Sequence, residues 1–93
     1  MKRDLVKTAQ IFKAFSVAIR LEILDLLKNG ELCACGLLHK LDLTQSGLSY
    51  HMKILIESGI VTAREEGKWV HYTISEQGRQ KIIQMFLEST ARN

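Results

Sequence analysis

The amino-acid sequence predicts a mainly helical fold with a small β element, an α+β arrangement of five helices and a two-stranded hairpin. Three observations lead there. Apolar residues recur at the i, i+4, i+7 spacing of an amphipathic helix in successive stretches. Proline is absent, and no segment has the composition of a disordered tract or stiff linker. Between Ile60 and Ile74 the pattern changes to strand-like residues on either side of Glu66-Gly67.

Leu5, Ala9, Phe12 and Phe15 mark the apolar face of a first helix, with lysines between them. Ser16 is placed to cap a second helix that runs to about Lys28 and stops at Asn29-Gly30. Its Ile19, Ile23, Leu26 and Leu27 share one face, with Arg20, Glu22 and Asp25 elsewhere. Leu37, Leu38 and Leu41 give a short third helix. The stretch from Asp42 to Ser46 is a polar turn in which Thr44 can cap a fourth helix, carrying Leu48, Met52 and Leu55 and ending at Ser58-Gly59. In the hairpin, Gly67 supplies the freedom of the turn, and alternation sends Val70, Tyr72 and Ile74 toward the body and Trp69, His71 and Thr73 away from it. Ser75 caps a last helix with Ile82, Ile83, Phe86 and Leu87. Three helices, a fourth with a polar leading edge and a basic hairpin are the ingredients of a winged helix-turn-helix.

Ninety-three residues, 1–93, make one domain with a single modest core, so stability can lean on self-association. A formal charge of +3 suits a polyanionic partner. The amino terminus starts basic, but Lys7 and Lys13 interrupt the next segment, so it lacks the apolar core of a secretory signal. No apolar run approaches a membrane span. The expectation is a cytoplasmic protein without a membrane partner, whose cysteines are free thiols or metal ligands sooner than a structural disulfide. Without a glycine-rich phosphate loop or an acid/base constellation, the chain reads as no enzyme and as needing no organic cofactor.

The only two cysteines stand one residue apart in Glu31-Leu32-Cys33-Ala34-Cys35-Gly36-Leu37-Leu38. Thiolates at i and i+2 can jointly grip a soft ion, and their softness favours thiophilic centres over magnesium or calcium. The plain alternative is two small buried hydrophobes. On a regular helix the two side chains would lie about 200° apart and could not face one ion, so binding would have to bend or unwind that turn. The strain would fall on the first helix of the helix-turn-helix and alter how the recognition helix meets DNA.

Three segments, FSVAIRLEILDLLKNGELCACGLL, LTQSGLSYHMKILIESGIV and REEGKWVHYTI, come one after another in the order found in ArsR/SmtB-type transcriptional repressors. The chain resembles that family over nearly its whole length, most clearly from Phe15 through Tyr72. The resemblance implies a second helix running into a metal-sensing Cys-x-Cys motif, then a recognition helix, then a wing. It also implies a homodimer that binds operator DNA and leaves it when a metal or metalloid binds. Three positions depart from the family pattern. Ala18 replaces a common proline, Gly36 replaces an aspartate that often follows Cys-x-Cys, and Leu38 stands where some arsenite-sensing members carry a third cysteine.

As(III) or Sb(III) at Cys33 and Cys35 is the inducer that the resemblance implies and thiolate preference supports. A hydroxide, a cellular thiol or a sulfur from a second subunit would complete its pyramidal site. Zn(II) or Cd(II) could bind instead, but zinc wants four ligands. His39, four residues after Cys35, could join such a site or be a solvated helix residue. The last helix, from Gln77 to Glu88, has no histidine, so the carboxylate-and-histidine site of some family members cannot form there. Oxidation or persulfidation of the same two cysteines is the competing mechanism, although their spacing makes a strained disulfide.

For DNA, the solvent-facing side of the fourth helix offers Gln45, Ser46, Ser49 and Tyr50 to base edges or phosphates, and Lys53 to phosphate. Arg64 and Lys68 straddle Glu65-Glu66-Gly67 and would lay cations along the backbone or minor groove. His51 is expected to be packed or hydrogen-bonded, and Trp69 to pack within the hairpin. The dimer surface is expected on the first and last helices, Leu5, Ala9 and Phe12 against Ile82, Phe86 and Leu87, whose apolar faces exceed what so small a monomer can bury.

Overall fold

The computed structural model describes residues 4–92, beginning at an aspartate that caps the first helix. The Asp4 carboxylate accepts the Lys7 N–H at 3.0 Å and so occupies one of the unpaired donors at the start of α1 (Leu5–Lys13). Phe15 lies past the end of α1. Ser16 does not cap α2 (Ala18–Leu27) as expected: its hydroxyl donates to the Lys13 carbonyl at 2.7 Å, and α2 starts from Val17 without a side-chain cap. The serine is used to close the helix before it.

A two-residue strand, β1 (Leu32–Cys33), leads into α3 (Ala34–Lys40), and Leu41 ends that helix. The turn then delivers Thr44, whose Oγ1 accepts the Gly47 N–H at 3.0 Å, to the start of α4 (Gln45–Ser58). Leu48, Met52 and Leu55 of α4 are buried, and Gly59 stops the helix with φ +93°, a left-handed conformation that side chains resist. The wing is β2 (Val61–Glu66) and β3 (Trp69–Ile74), turning at Gly67 with φ +63°. Ser75 accepts the Gly78 N–H at 2.9 Å and starts α5 (Glu76–Thr90).

The expected two-stranded hairpin is one part of a three-stranded antiparallel sheet in the order β1-β3-β2. Cys33 pairs with His71, and His71 pairs with Arg64, so these three residues form one row across the sheet. Ile23 and Leu27 of α2, Leu37 of α3, Leu48, Met52 and Leu55 of α4, and Val61 and Tyr72 of the sheet make the core. The winged helix-turn-helix is therefore built on α2, α3 and α4 with the sheet against them.

The last helix sits differently. No residue of α5 is buried, and Phe86 and Leu87 are 58% and 54% exposed. Its start is held close to the end of α4: a Cβ placed on Gly78 would collide with the carbonyl oxygen of Gly59. Farther along, the Phe86 ring meets Phe12 of α1 edge to face at 6.0 Å between centroids. Among the described residues no helix is long and apolar enough to cross a membrane.

Candidate functional site

Cys33 is at once the last residue of β1 and the N-cap of α3, with extended backbone at φ −79° and ψ 159°. Its sulfur accepts the Gly36 N–H at 3.2 Å, the kind of donor that stabilises negative charge on sulfur. Cys35 is the second residue of the helix and is exposed. The pair thus does not sit on a regular helix. The chain turns between the two residues, their Cα atoms are 5.3 Å apart, and their sulfurs are joined as a disulfide. The two cysteines are therefore bonded to each other and not free as expected. Nor, contrary to expectation, does a helical turn have to unwind before both sulfurs face one partner.

Around the pair, Leu38 is half-buried and packs on the core, and His39 is exposed. Among the described residues no group of three or more His, Cys, Asp or Glu side chains is arranged to hold a metal ion. The two sulfurs supply two of the three positions of a pyramidal metalloid, and half of what a tetrahedral zinc needs.

The α4 surface opposite the core presents Gln45, Ser46, Ser49, Tyr50 and Lys53, all exposed. Behind this face lies Arg20 of α2, which was expected away from the apolar face of its helix and is only 7% exposed. Its Nε donates to Nδ1 of His51 at 3.1 Å, its Nη1 reaches the carbonyls of Lys13 and Ala14 at 3.5 Å each, and its guanidinium lies 6.0 Å from the centre of the Tyr50 ring. Burial, and after it the Arg20 charge, lowers the His51 pKa, so the imidazole accepts as a neutral ring. Arg20, Ile23 and Leu27 are spaced i, i+3, i+7, and that shared stripe was the signal that the arginine faces inward.

Arg64 is likewise not the open cation expected in the wing. Its Nε and Nη2 grip the two carboxylate oxygens of Glu31 at 3.0 and 2.8 Å, and its Nη1 donates to Glu66 at 3.1 Å. These bonds raise the Arg64 pKa, and the guanidinium holds the Glu31 carboxyl below the usual carboxylate range. Thr73 also donates to Glu31, at 3.4 Å, and His71 stands 3.8 Å from Glu31 and 3.9 Å from Glu66. Lys68 is exposed at the wing tip. Trp69 is 50% exposed and lies outside the core.

The family model of bacterial regulatory proteins of the arsR family matches residues 18–63, from the start of α2 into the wing. A helix-turn-helix-type transcriptional regulator of Methanocaldococcus jannaschii is 44% identical over 80 residues, covering 85% of this chain and 90% of that protein. The chain belongs to the arsR family. A second relative, an arsenical resistance operon repressor of Staphylococcus aureus, is 46% identical over 74 residues, covering 80% of this chain and 71% of that one. A homodimeric winged helix-turn-helix DNA-binding domain from Mycobacterium bovis has the same fold, with a TM-score of 0.75, 26% identity, and coverage of 99% of this chain and 93% of that one.

For this arsR-family chain, the candidate site residues fall into four groups by position. Cys33 and Cys35 meet at the β1–α3 corner. The polar residues of α4 line one exposed face, braced from beneath by Arg20. Leu5, Phe86 and Leu87 are exposed on α1 and α5, with Phe12 and Ile82 half-buried beside them and Ala9 exposed. In the wing, the exposed Lys68 and the paired Arg64 occupy different electrostatic situations.

Proposed function

We propose that this chain represses arsenical-resistance genes by binding operator DNA as a homodimer in the cytoplasm, and that As(III) or Sb(III) releases it by bonding to reduced Cys33 and Cys35. The observation that carries the reading is the meeting of two sulfurs at the corner that joins the sheet to the first helix of the helix-turn-helix. An external dithiol first reduces the disulfide, taking up its own oxidation. Arsenous acid then exchanges two hydroxyls for the two sulfurs, releasing two waters and keeping one hydroxyl as third ligand. Zinc and cadmium are disfavoured as inducers because the described residues gather no four-donor set around the sulfurs.

For DNA, a two-fold axis would present Gln45, Ser46, Ser49, Tyr50 and Lys53 of each α4 to successive half-sites, with Lys68 beside the backbone. The dimer reading is supported by shape as well as by exposed side chains. The Cα radius of gyration is 14.4 Å, against about 12 Å for a compact domain of this length. A second copy packed on α1 and α5 would cover Leu5, Phe86 and Leu87.

The test is fluorescence anisotropy on a duplex selected from random sequence, with reduced protein and increasing arsenite. Release at an arsenite concentration that also blocks alkylation of both cysteines supports the reading; retained binding with both cysteines blocked refutes it. The disulfide itself favours a second reading, in which peroxide oxidises the two thiols to the Cys33–Cys35 bond, yielding two waters, and that change alters DNA affinity. Equal operator affinity of oxidised and reduced protein would remove it.

A further inference from the structure

We infer that Glu31 and Arg64 are a positioning pair that couples the dithiol corner to the wing, so that movement of Cys33 is passed to the DNA-facing hairpin as well as to the recognition helix. The inference rests on the proposed release of DNA through the dithiol and adds a route to it.

The route begins with backbone pairing that is weak by itself. β1 meets the sheet through only two residue pairs, Leu32 with Tyr72 and Cys33 with His71. Arg64 belongs to β2, on the far side of β3. The Glu31–Arg64 fork therefore spans the central strand and ties the segment entering β1 directly to the wing, between residues 33 positions apart in sequence. Glu31 stands immediately before β1, two residues ahead of Cys33. Across the row, Cys33, His71 and Arg64 are register partners.

The chemistry of the contact suits a link better than a store of stability. Both partners are partly exposed, with side-chain exposures of 51% for Arg64 and 36% for Glu31, and an exposed ion pair contributes little to folding. A two-pronged guanidinium–carboxylate contact nevertheless fixes direction as well as distance, which a lysine or a single bond would not. Glu66 holds the remaining side of the same guanidinium and is itself in β2, so the wing end of the link is braced. Any movement of the β1–α3 corner that accompanies bonding of the two sulfurs to arsenic would be carried by Glu31 to β2.

The test compares wild type, Glu31→Gln and Asp25→Asn as full-length, reduced protein on the same selected duplex, with and without arsenite. Asp25 of α2, paired with Lys28, controls for the loss of one negative charge away from the sheet. Arsenite occupancy is followed separately by protection of both cysteines from iodoacetamide. Wild type and Asp25→Asn should lose on the order of tenfold or more in affinity on arsenite binding, within the usual range of allosteric couplings. Glu31→Gln should lose less than about threefold at equal cysteine protection and an unchanged thermal midpoint. A full arsenite effect in Glu31→Gln overturns the link and leaves dithiol release standing. An equally reduced effect in Asp25→Asn assigns the change to net charge and also overturns the link. Protected cysteines without release in wild type overturn dithiol release, and the link with it.

Discussion

Arg20 Nε donates to His51 Nδ1 at 3.1 Å, joining α2 to the recognition helix α4 beneath the exposed Tyr50. The same guanidinium reaches two carbonyls at the end of α1, so one buried side chain ties together three helical segments. Arg20→Ala should leave His51 Nδ1 and the buried Ala14 carbonyl without this donor, while the Lys13 carbonyl keeps Ser16. A loss of about 2–4 kcal/mol is expected from the usual cost of breaking a buried, charge-assisted contact. Urea unfolding of the two proteins measures it; a difference below about 0.5 kcal/mol would show that Arg20 is not a brace.

The partner of that bond sets a pH dependence. The His51 pKa is lowered in the folded chain, first by burial and then by Arg20. The folded value thus lies below the unfolded value, near 6.5, and the fold binds fewer protons at this site than the unfolded chain does. Its contribution is fully present above about pH 6.5 and is lost as pH falls through the lower folded value. The thermal midpoint of wild type should drop between pH 7.5 and pH 5, and His51→Gln should show a shallower drop. Both proteins keep His39 and His71, so parallel curves would count against His51.

Features decided within a few residues of themselves were legible in the sequence. Thr44 and Ser75 do cap their helices, Gly59 does end α4, and Leu48, Met52 and Leu55 are buried on one stripe, because capping and helical period are local. The strand β1 was not legible, since two residues make no alternating pattern and are drawn extended only by pairing with β3. Without that strand, Cys33 looked like part of a helix when it is the residue before one. The pairing of Arg64 was not legible for a related reason: its partner Glu31 lies 33 residues earlier, and only the register of three strands brings them together.

Gly78 is a test of how α5 is seated. Any Cβ there meets backbone of Gly59, which has no flexible atoms to move aside, and Gly59 is itself held at φ +93°. Gly78→Ala should therefore lift the start of α5 and destabilise the chain by about 1–3 kcal/mol, the usual cost of forced overpacking. Because α5 carries Ile82, Phe86 and Leu87, the variant should also weaken self-association in sedimentation equilibrium. An unchanged monomer–dimer balance with an unchanged thermal midpoint would mean that α5 is seated elsewhere.

Two cations should differ on DNA. Lys53 is exposed on α4, so Lys53→Ala should lower affinity for specific and random duplex alike and reduce the log–log salt slope by about 0.9 per subunit. Arg64 is matched by Glu31 and Glu66, so Arg64→Ala should change the slope by less. Substituting Ser49 or Tyr50 should instead change sequence preference. Equal slope changes for Lys53→Ala and Arg64→Ala would show that Arg64 leaves its carboxylates for a phosphate when DNA binds.

Cys33→Ser and Cys35→Ser separate the DNA face from the sensor. Serine is a strong N-cap, so a hydroxyl at position 33 can accept the Gly36 N–H in place of sulfur and keep the start of α3. Position 35 is exposed and tolerates the change. Each variant should bind the selected duplex within about threefold of reduced wild type, whereas arsenite should release neither, because a hydroxyl is too hard and too weakly acidic to replace a thiolate on a soft centre. Leu38→Cys tests the missing third donor. Position 38 lies i+3 from Cys35 on α3, but Leu38 is half-buried against the core, so the added thiol should lower the arsenite concentration for release while also lowering the thermal midpoint. Anisotropy titrations of reduced wild type and the three variants decide the matter. Release of either serine variant at the wild-type arsenite concentration would place the sensor away from the Cys33–Cys35 corner.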